Sequence, residues 1–256
     1  IIFSSFIFTL IVGSILAIPI FGINFFENPE ILADISNQDY LPFFKYYQLV
    51  QSICIFIIPP FVAAKLFGNH ISNYYGLSIK PLWIFLVMSF LLMFTVQPFI
   101  TFLIDINNNI DFPDFLKNIE DWMKQAEVNA AKLSELFLVM DNTNALIFNI
   151  FLMAVIPAIG EELFFRGLLQ KLLNEWTKNI HIAVILSAIT FSAIHLQFYG
   201  FFPRFLLGAL FGYMFVWSGT LWLPIFAHFI NNAFAVLVSY LWQKGILDEN
   251  YESFGN

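Results

Sequence analysis

Residues 145–173 read ALIFNIFLMAVIPAIGEELFFRGLLQKLL, an apolar run long enough to cross a bilayer as a helix. Two adjacent acids, Glu161 and Glu162, interrupt this run. A carboxylate at membrane depth is costly, so an acid in such a position marks a functional site by default. Two later apolar segments each carry one histidine, His195 and His228. We therefore expect the chemistry of this protein to lie among these four side chains.

The composition of the chain is that of a membrane protein. Of its 256 residues, 59% are hydrophobic and 11% are charged, and the mean hydropathy is +0.78. An ordinary soluble domain has about 25% charged residues. A formal net charge of −7 also argues against nucleic-acid binding, because proteins that bind nucleic acids carry a basic surface patch. We therefore expect membrane lipids as the surroundings of the chain and no nucleic-acid partner. The single cysteine, Cys54, excludes an intrachain disulfide.

The apolar runs predict a polytopic, all-α transmembrane bundle. Each run has about the length that a membrane helix needs, and helices satisfy their own backbone polar groups in lipid. The seven runs cover residues 1–22, 46–68, 82–104, 145–168, 181–199, 201–218 and 221–243. Because the sequence begins at Ile1, another span could precede it, and seven is a minimum. We expect residues 1–256 to form one membrane domain. It would be a multi-pass protein of the plasma (inner) membrane if bacterial, and of the endoplasmic reticulum if not.

The loop before the fourth span predicts an amphipathic helix that starts at Pro113. The apolar residues that repeat there at helical spacing are Phe115, Ile119, Trp122, Ala126, Ala130, Leu133 and Phe137. Three interpretations of this helix are open. It lies on the membrane surface, it is an ordinary packed connector, or it forms a lid that faces a substrate.

Local spacing predicts different roles for the two acids. Pro157 has no amide N–H, so the carbonyl of Met153 lacks its helical donor and the helix should kink one turn before Glu161. Glu162 and Arg166 are spaced i,i+4 and can form an ion pair on one helix face. Glu161 is rotated by about 100° from that pair. We expect Glu162 to be structural and Glu161 to be free. The alternative is a buried polar network that holds both acids.

Polar side chains in the later spans also share helix faces. Phe191 and His195 lie one turn apart, so a bulky aromatic side chain can wall off the histidine. His228 and Asn232 are again one turn apart and suggest a lined pocket. Alternatively, His195 is only hydrogen-bonded to a neighbouring helix, and Asn231 and Asn232 join helices as amides do in bilayers.

Three short motifs follow one another in this half of the chain. EELFFR at 161–166 fits EExxxR, FSAIH at 191–195 fits FxxxH, and HFINN at 228–232 fits HxxxN. Their order and spacing resemble the CPBP family of intramembrane proteases. That family includes the type II CAAX prenyl endopeptidases and bacterial proteins of bacteriocin processing or immunity. The resemblance covers roughly residues 143–243, which we expect to form a CPBP-like catalytic core.

The resemblance implies an intramembrane endopeptidase that acts on membrane-associated or leader-bearing peptides. Glu161 would be the general base that activates water, and His195 would orient that water or share its proton. His228 and Asn232 would stabilise the developing oxyanion. The supporting residues around them would be Glu162, Arg166 and Phe191.

Two other interpretations stay open. Glu161, His195 and His228 could instead hold zinc, but no HExxH pair is present, and we favour a mechanism without a metal cofactor. The chain could also be a non-catalytic scaffold, an immunity factor or an accessory subunit with membrane protein partners. A transporter would show internal repeats with matching broken helices, which we do not find. Gly208 and Gly212 form a small-residue pair that is typical of tight helix packing.

Overall fold

The computed structural model describes residues 2–23, 27, 31, 37–68, 70–108 and 112–247, and over these residues its regular structure is helical. The main helices are α1 (Ile2–Phe21), α2 (Gln38–Leu66), α3 (Trp83–Asn108), α4 (Lys117–Phe137), α5 (Thr143–Thr177), α6 (Ile180–Ala193), α7 (Phe201–Ser218) and α8 (Trp222–Gln243). A single helical turn, Ile71–Tyr74, lies in the connection between α2 and α3.

Among the described residues, five helices are long and apolar enough to cross a membrane, namely α2, α3, α5, α7 and α8. The protein is therefore an integral membrane protein with several spans. The segment expected to cross at 1–22 forms the 20-residue α1, and the one at 181–199 contains a shorter apolar helix, Ile180–Ala193. That they also cross the membrane stays a prediction, and Ile1 lies outside the described residues.

Polar caps determine where the central helices begin. The Asn142 side chain accepts a hydrogen bond from the Ala145 amide at 3.0 Å, which caps α5. The Asn179 side chain accepts from the His181 amide at 3.0 Å and caps α6 in the same way. Between the two helices Lys178 takes a left-handed conformation with φ of 54°. The chain therefore reverses within two residues, and α5 and α6 pack side by side.

Helix α5 lies at the centre of the bundle. Its residues 163–168 are buried, and neighbouring helices contact them from several sides. From α6, the Ser187 hydroxyl donates to the Phe165 carbonyl at 2.9 Å. From α2, the Phe56 ring lies 6.0 Å from the Phe165 ring. This position explains why the helix that carries the two glutamates is apolar on nearly all of its sides.

Two wider π-helical turns flank the glutamates within α5, at Phe151–Val155 and Leu163–Leu169. Such turns are frequent at functional sites and wherever a helix must absorb a local mismatch. Pro157 cannot donate to the Met153 carbonyl, as its sequence position predicts. The Asn232 side chain of α8 donates to that carbonyl instead, at 3.2 Å. The carbonyl released by the proline thus becomes an anchor for α8.

A helix, α4, occupies the segment in which the amphipathic pattern was found. Several apolar side chains on it and just before it are exposed, with Phe115 at 83% and Trp122 at 56%. Its C-terminal end is buried, and the Phe137 carbonyl accepts a hydrogen bond from Asn149 Nδ2 at 2.6 Å. The helix is therefore attached to α5 at one end. That α4 lies on a membrane surface stays a prediction.

Candidate active site

The ion pair predicted between Glu162 and Arg166 is present and buried. Arg166 Nη1 lies 2.7 Å from Glu162 Oε1, and the two side chains are 1% and 0% exposed. Arg166 Nη2 donates to the Gly208 carbonyl of α7 at 2.9 Å. The Phe191 ring of α6 lies 4.6 Å from the guanidinium carbon, within the range of a cation–π contact. An arginine buried this deeply needs such partners, because an unpaired charge is costly away from water.

The small-residue pair in α7 packs within the chain, as expected. A Cβ atom added to Gly208 would lie 3.1 Å from Phe191 Cδ1, and one added to Gly212 would lie 2.8 Å from Gln170 Oε1 and 2.9 Å from Val184 Cγ1. The Gly212 carbonyl accepts from Gln170 Nε2 at 3.3 Å. The absence of side chains at these glycines thus brings the α7 backbone within hydrogen-bonding reach of α5.

His228 is bonded to the same carboxylate oxygen as Arg166. Its Nδ1 lies 2.8 Å from Glu162 Oε1, and the residue is 4% exposed. A carboxylate in an ion pair can only accept, so Nδ1 carries the hydrogen and donates it. The Phe211 ring stacks on the imidazole with centroids 5.2 Å apart. The bond and the stacked ring together hold the imidazole in one orientation.

Glu161 has a different environment from its neighbour. Its side chain is 13% exposed, and its Oε2 lies 3.9 Å from His228 Nε2. This separation is too long for a direct hydrogen bond. It does suit a water molecule that bonds to both atoms. The two adjacent glutamates thus contact opposite nitrogens of one imidazole, Glu162 at Nδ1 and Glu161 near Nε2.

His195 lies two residues beyond the end of α6. Its Nδ1 lies 2.8 Å from the Phe191 carbonyl, and the two rings are 5.2 Å apart. A carbonyl only accepts, so Nδ1 is the protonated nitrogen and Nε2 of the neutral ring is an acceptor. The next residue, Leu196, adopts a left-handed conformation with φ of 53°, which turns the chain away from the helix axis. The histidine therefore lies at a helix end, half-buried, with one nitrogen uncommitted.

Asn232 belongs to a chain of amides that joins three helices. Besides its bond to Met153, its Oδ1 accepts from Asn231 Nδ2 at 3.2 Å. The Oδ1 of Asn231 accepts from Gln97 Nε2 of α3 at 3.1 Å. These contacts match the helix-joining interpretation of the asparagines. The second N–H of Asn232 has no partner among the hydrogen bonds of the described residues.

A cavity of about 720 Å³ brings the expected residues together. Of the catalytic and supporting residues expected from the resemblance, those that line it are Glu161, Phe191, His195, His228 and Asn232. Helix α4 and the residue that follows it contribute one wall, formed by Glu127, Ala131, Ser134, Glu135 and Leu138. Glu162 and Arg166 lie behind the wall and do not line it. Glu161, the glutamate without an ion pair to arginine, therefore lines the cavity, whereas the buried Glu162 supports the wall from behind.

Several residues of the cavity were missed by sequence reasoning. They include Gln97, Glu127, Gln197, Tyr199 and Arg204. Arg204 carries the same signal that singled out Glu161, an ionisable residue within an apolar span. Gln197 and Tyr199 lie in the loop between α6 and α7, Glu127 lies on α4, and Gln97 lies in α3, which carries no motif. Their local spacing in the sequence gives no sign that they belong to a site.

The side chains of the cavity do not fit a zinc site. Across the parts of the chain that the structure describes, no three or more His, Cys, Asp or Glu side chains are grouped so that they could hold a metal ion. The set considered for zinc, Glu161, His195 and His228, borders one cavity without such a grouping. We therefore derive no step of the chemistry through a metal.

Comparison with known proteins supports the resemblance seen in the motifs. The profile of the family described as type II CAAX prenyl endopeptidase Rce1-like matches residues 143–234. This segment contains both glutamates, both histidines and Asn232. Over this segment the chain is similar to the Rce1-like family of type II CAAX prenyl endopeptidases.

Two curated relatives come from Bacillus subtilis (strain 168). YpbD, an uncharacterized protein, is 30% identical over 89 residues, which are 33% of this chain and 42% of YpbD. YdiL, a proposed membrane peptidase, is 27% identical over 100 residues, which are 39% of this chain and 41% of YdiL. The similarity thus spans about two fifths of the length of each relative. No solved structure matches the chain.

Proposed function

We propose that this chain is an intramembrane endopeptidase in which Glu161 activates the water that attacks a peptide bond. The observation that carries the proposal is the 3.9 Å separation of Glu161 Oε2 and His228 Nε2 at the wall of the cavity. Water is a poor nucleophile until a base takes its proton. A water molecule between these two atoms can donate one hydrogen to each and direct a lone pair at a carbonyl carbon. Glu161 takes the proton as the new bond forms and returns it to the leaving amine.

Glu162 and Arg166 position His228 in this mechanism. Glu162 accepts the Nδ1 hydrogen of His228, which leaves Nε2 as the nitrogen directed towards Glu161. Arg166 in turn holds the Glu162 carboxylate. Neither residue needs to touch the substrate. Their contribution is to keep the imidazole in one tautomer and one orientation.

Two further side chains complete the proposed site. His195 Nε2 is a further acceptor at the cavity and can share the proton that Glu161 takes from the water. The free N–H of Asn232 can donate to the oxyanion that develops on the scissile carbonyl. His228 joins it as a donor once Nε2 has taken the second proton of the attacking water, which it later releases to solvent. One such donor is worth roughly a hundredfold or more in rate.

We infer that the substrates are membrane-associated or leader-bearing peptides, because the cavity lies among apolar helices. In this proposal α1 and α6 also cross the membrane, which makes at least seven spans. The exposed apolar side chains of α4 lie in the membrane surface, so that the helix covers the cavity as its outer wall. The protein works in the plasma membrane, surrounded by lipids and open to membrane protein partners.

The test is hydrolysis of a membrane-tethered peptide library by the purified full chain in lipid nanodiscs. Wild type is compared with Glu161→Gln, and fragments are identified by mass spectrometry. We expect cleavage by wild type and a near-complete loss in the variant. If both are inert across the library while their thermal midpoints agree, the peptidase proposal is overturned. The non-catalytic scaffold or immunity function then takes its place.

A further inference from the structure

Arg204 is a charged residue in an apolar helix that the mechanism above does not use. It lies in the first turn of α7 and lines the same cavity as Glu161. Its Nη2 donates to Gln197 Oε1 at 2.6 Å. Its Nη1 is buried and has no hydrogen-bond partner. An intramembrane charge with an unused donor is a binding-site candidate, because leaving that donor unpaired is costly.

The surroundings of Arg204 do not neutralise it at close range. Within the described part of the chain, no carboxylate is near enough to Arg204 to form an ion pair. Glu127 and Glu161 attract the guanidinium only from a greater distance. Glu127 Oε2 accepts instead from the Tyr199 amide at 3.3 Å. Arg204 thus differs from Arg166, whose carboxylate partner lies at 2.7 Å.

The guanidinium packs against the backbone and keeps one donor for an anion. Gly200 leaves room for the guanidinium itself, since a Cβ atom there would lie 2.9 Å from Arg204 Nη2. The Tyr199 hydroxyl is a second buried polar group without a partner, and Tyr199 also lines the cavity. A guanidinium offers a planar fork that matches the two oxygens of a carboxylate. Arg204 and Tyr199 thus each carry an unused donor and line the same cavity.

None of the described acidic side chains that line the cavity, Glu127, Glu135 and Glu161, forms an ion pair with Arg204. Glu135 is exposed, so solvent and salt screen its charge. Glu127 has one oxygen committed to the Tyr199 amide. Of the described residues that line the cavity, Arg204 is the only lysine or arginine. A carboxylate that enters the cavity therefore has one cationic partner to bind.

We propose that Arg204, assisted by the Tyr199 hydroxyl, binds a carboxylate of the peptide substrate and so selects which peptides are cut. The carboxylate is either the C-terminal one of the peptide or the side chain of an Asp or Glu close to the scissile bond. This inference rests on the proposed function, since it assumes that the occupant of the cavity is a peptide. It adds to that function a chemical criterion for the substrate.

The test measures binding and cleavage separately. The probes are fluorescent, N-palmitoylated peptides of randomised sequence in four sets, with a free C-terminal acid or an amide, and with or without internal Asp and Glu. Binding is measured to full-length Glu161→Gln protein in nanodiscs, with and without the additional substitution Arg204→Gln. We expect one class of carboxylate to raise affinity at least about tenfold, equivalent to about 1.4 kcal/mol. Arg204→Gln should reduce this ratio to about one.

A matched control removes a positive charge elsewhere. Lys132 is exposed on α4 and does not line the cavity. Lys132→Gln should keep the ratio between acidic and neutral peptides, whereas Arg204→Lys should keep only part of it, because an ammonium lacks the planar fork. The ratio of the affinities for acidic and neutral peptides separates the two effects, because partial unfolding lowers the binding of all peptides equally and leaves this ratio unchanged.

The possible outcomes separate the carboxylate site from the peptidase activity. Equal affinity for acidic and neutral peptides overturns the proposal, and so does a ratio that survives in Arg204→Gln. An equal fall for all peptides in Arg204→Gln shows a structural role and also overturns it. Wild type that cleaves all four sets equally well refutes the carboxylate site but leaves the peptidase standing. Selective binding without any cleavage by wild type refutes the peptidase but leaves the carboxylate site standing.

Discussion

Glu162 and His228 are joined by a hydrogen bond of 2.8 Å between Oε1 and Nδ1, although 66 residues separate them in the chain. The same oxygen lies 2.7 Å from Arg166 Nη1. A single buried carboxylate oxygen thus connects the arginine of its own helix with the histidine of α8. The other nitrogen of that histidine is the one nearest to Glu161. This arrangement relates the buried ion pair to the proposed chemistry.

Replacing Glu161 with glutamine should abolish most activity and leave the fold intact. General-base catalysis is typically worth about 10²- to 10⁴-fold, so kcat/KM for a cleaved peptide should fall by roughly that factor. The thermal midpoint should change little, because Glu161 makes no side-chain hydrogen bond to another described residue. Glu175→Gln is the matched control, an exposed acid on the same helix, and should keep wild-type activity. Comparable kcat/KM values for Glu161→Gln and wild type would refute the base assignment.

Replacing Arg166 with methionine should destabilise the protein strongly. The substitution leaves Glu162 buried with one partner fewer, and removing one member of a buried ion pair costs about 3–5 kcal/mol. The measurement is the midpoint of thermal unfolding in detergent. The double variant Arg166→Met/Glu162→Gln should lose less than the sum of the two single variants, because no lone charge remains.

The exposed pair of Lys124 and Glu120 is the control for this experiment. It has the same i,i+4 spacing but lies on α4, with Lys124 56% exposed. Lys124→Met should leave the thermal midpoint unchanged, because exposed pairs contribute little. If Arg166→Met proved as mild as Lys124→Met, the buried pair would not be the support that we assign to it.

Strong chelation should leave hydrolysis intact. The described His, Cys, Asp and Glu side chains provide no group that could hold a metal, and the proposed water is activated by Glu161. Activity after dialysis against a chelator should equal that of untreated protein, and added Zn²⁺ should not raise it. If activity were lost under chelator and restored by Zn²⁺, the metal-free mechanism would be rejected. Glu161, His195 and His228 would then be assigned as zinc ligands.

Replacing Gly212 with alanine should lower stability by about 1–3 kcal/mol, the usual cost of overpacking. The new Cβ would lie 2.9 Å from Val184 Cγ1 and 2.8 Å from Gln170 Oε1. The thermal midpoint in detergent measures the effect. The additional substitution Val184→Ala removes one of the two close contacts and should recover part of the loss. An unchanged midpoint in Gly212→Ala would show that α7 can move away from α5 without cost.

Local spacing in the sequence predicted part of the site. The Glu162–Arg166 pair follows from i,i+4 geometry, which a helix enforces almost regardless of its surroundings. The resemblance to a family followed from three short motifs at 161–166, 191–195 and 228–232. The residue that replaces the missing donor of Pro157 could not be predicted in the same way. Asn232 is 79 residues away from Met153, and only the packing of α8 against α5 brings the two together.

Two expectations concern how the chain sits in the membrane. Apolar runs predicted the helices well, and five of them are long and apolar enough to span a membrane among the described residues. The helix at Ile180–Ala193 is shorter than the apolar run that predicted it, because hydropathy alone does not show where caps and turns end a helix. His195 shows this, since it was counted within a span and lies beyond Ala193, where α6 ends.

The sequence by itself determined that this is a helical membrane protein, which of its acids form the local pair, and which family it resembles. Composition and near-neighbour spacing decide these properties, and both can be read along one chain. Only the tertiary structure decided that His228 bonds Glu162 rather than Glu161, and that Arg204 shares the cavity with a donor unpaired. Contacts between helices far apart in sequence depend on packing and on how each helix is rotated about its axis, which no local pattern specifies.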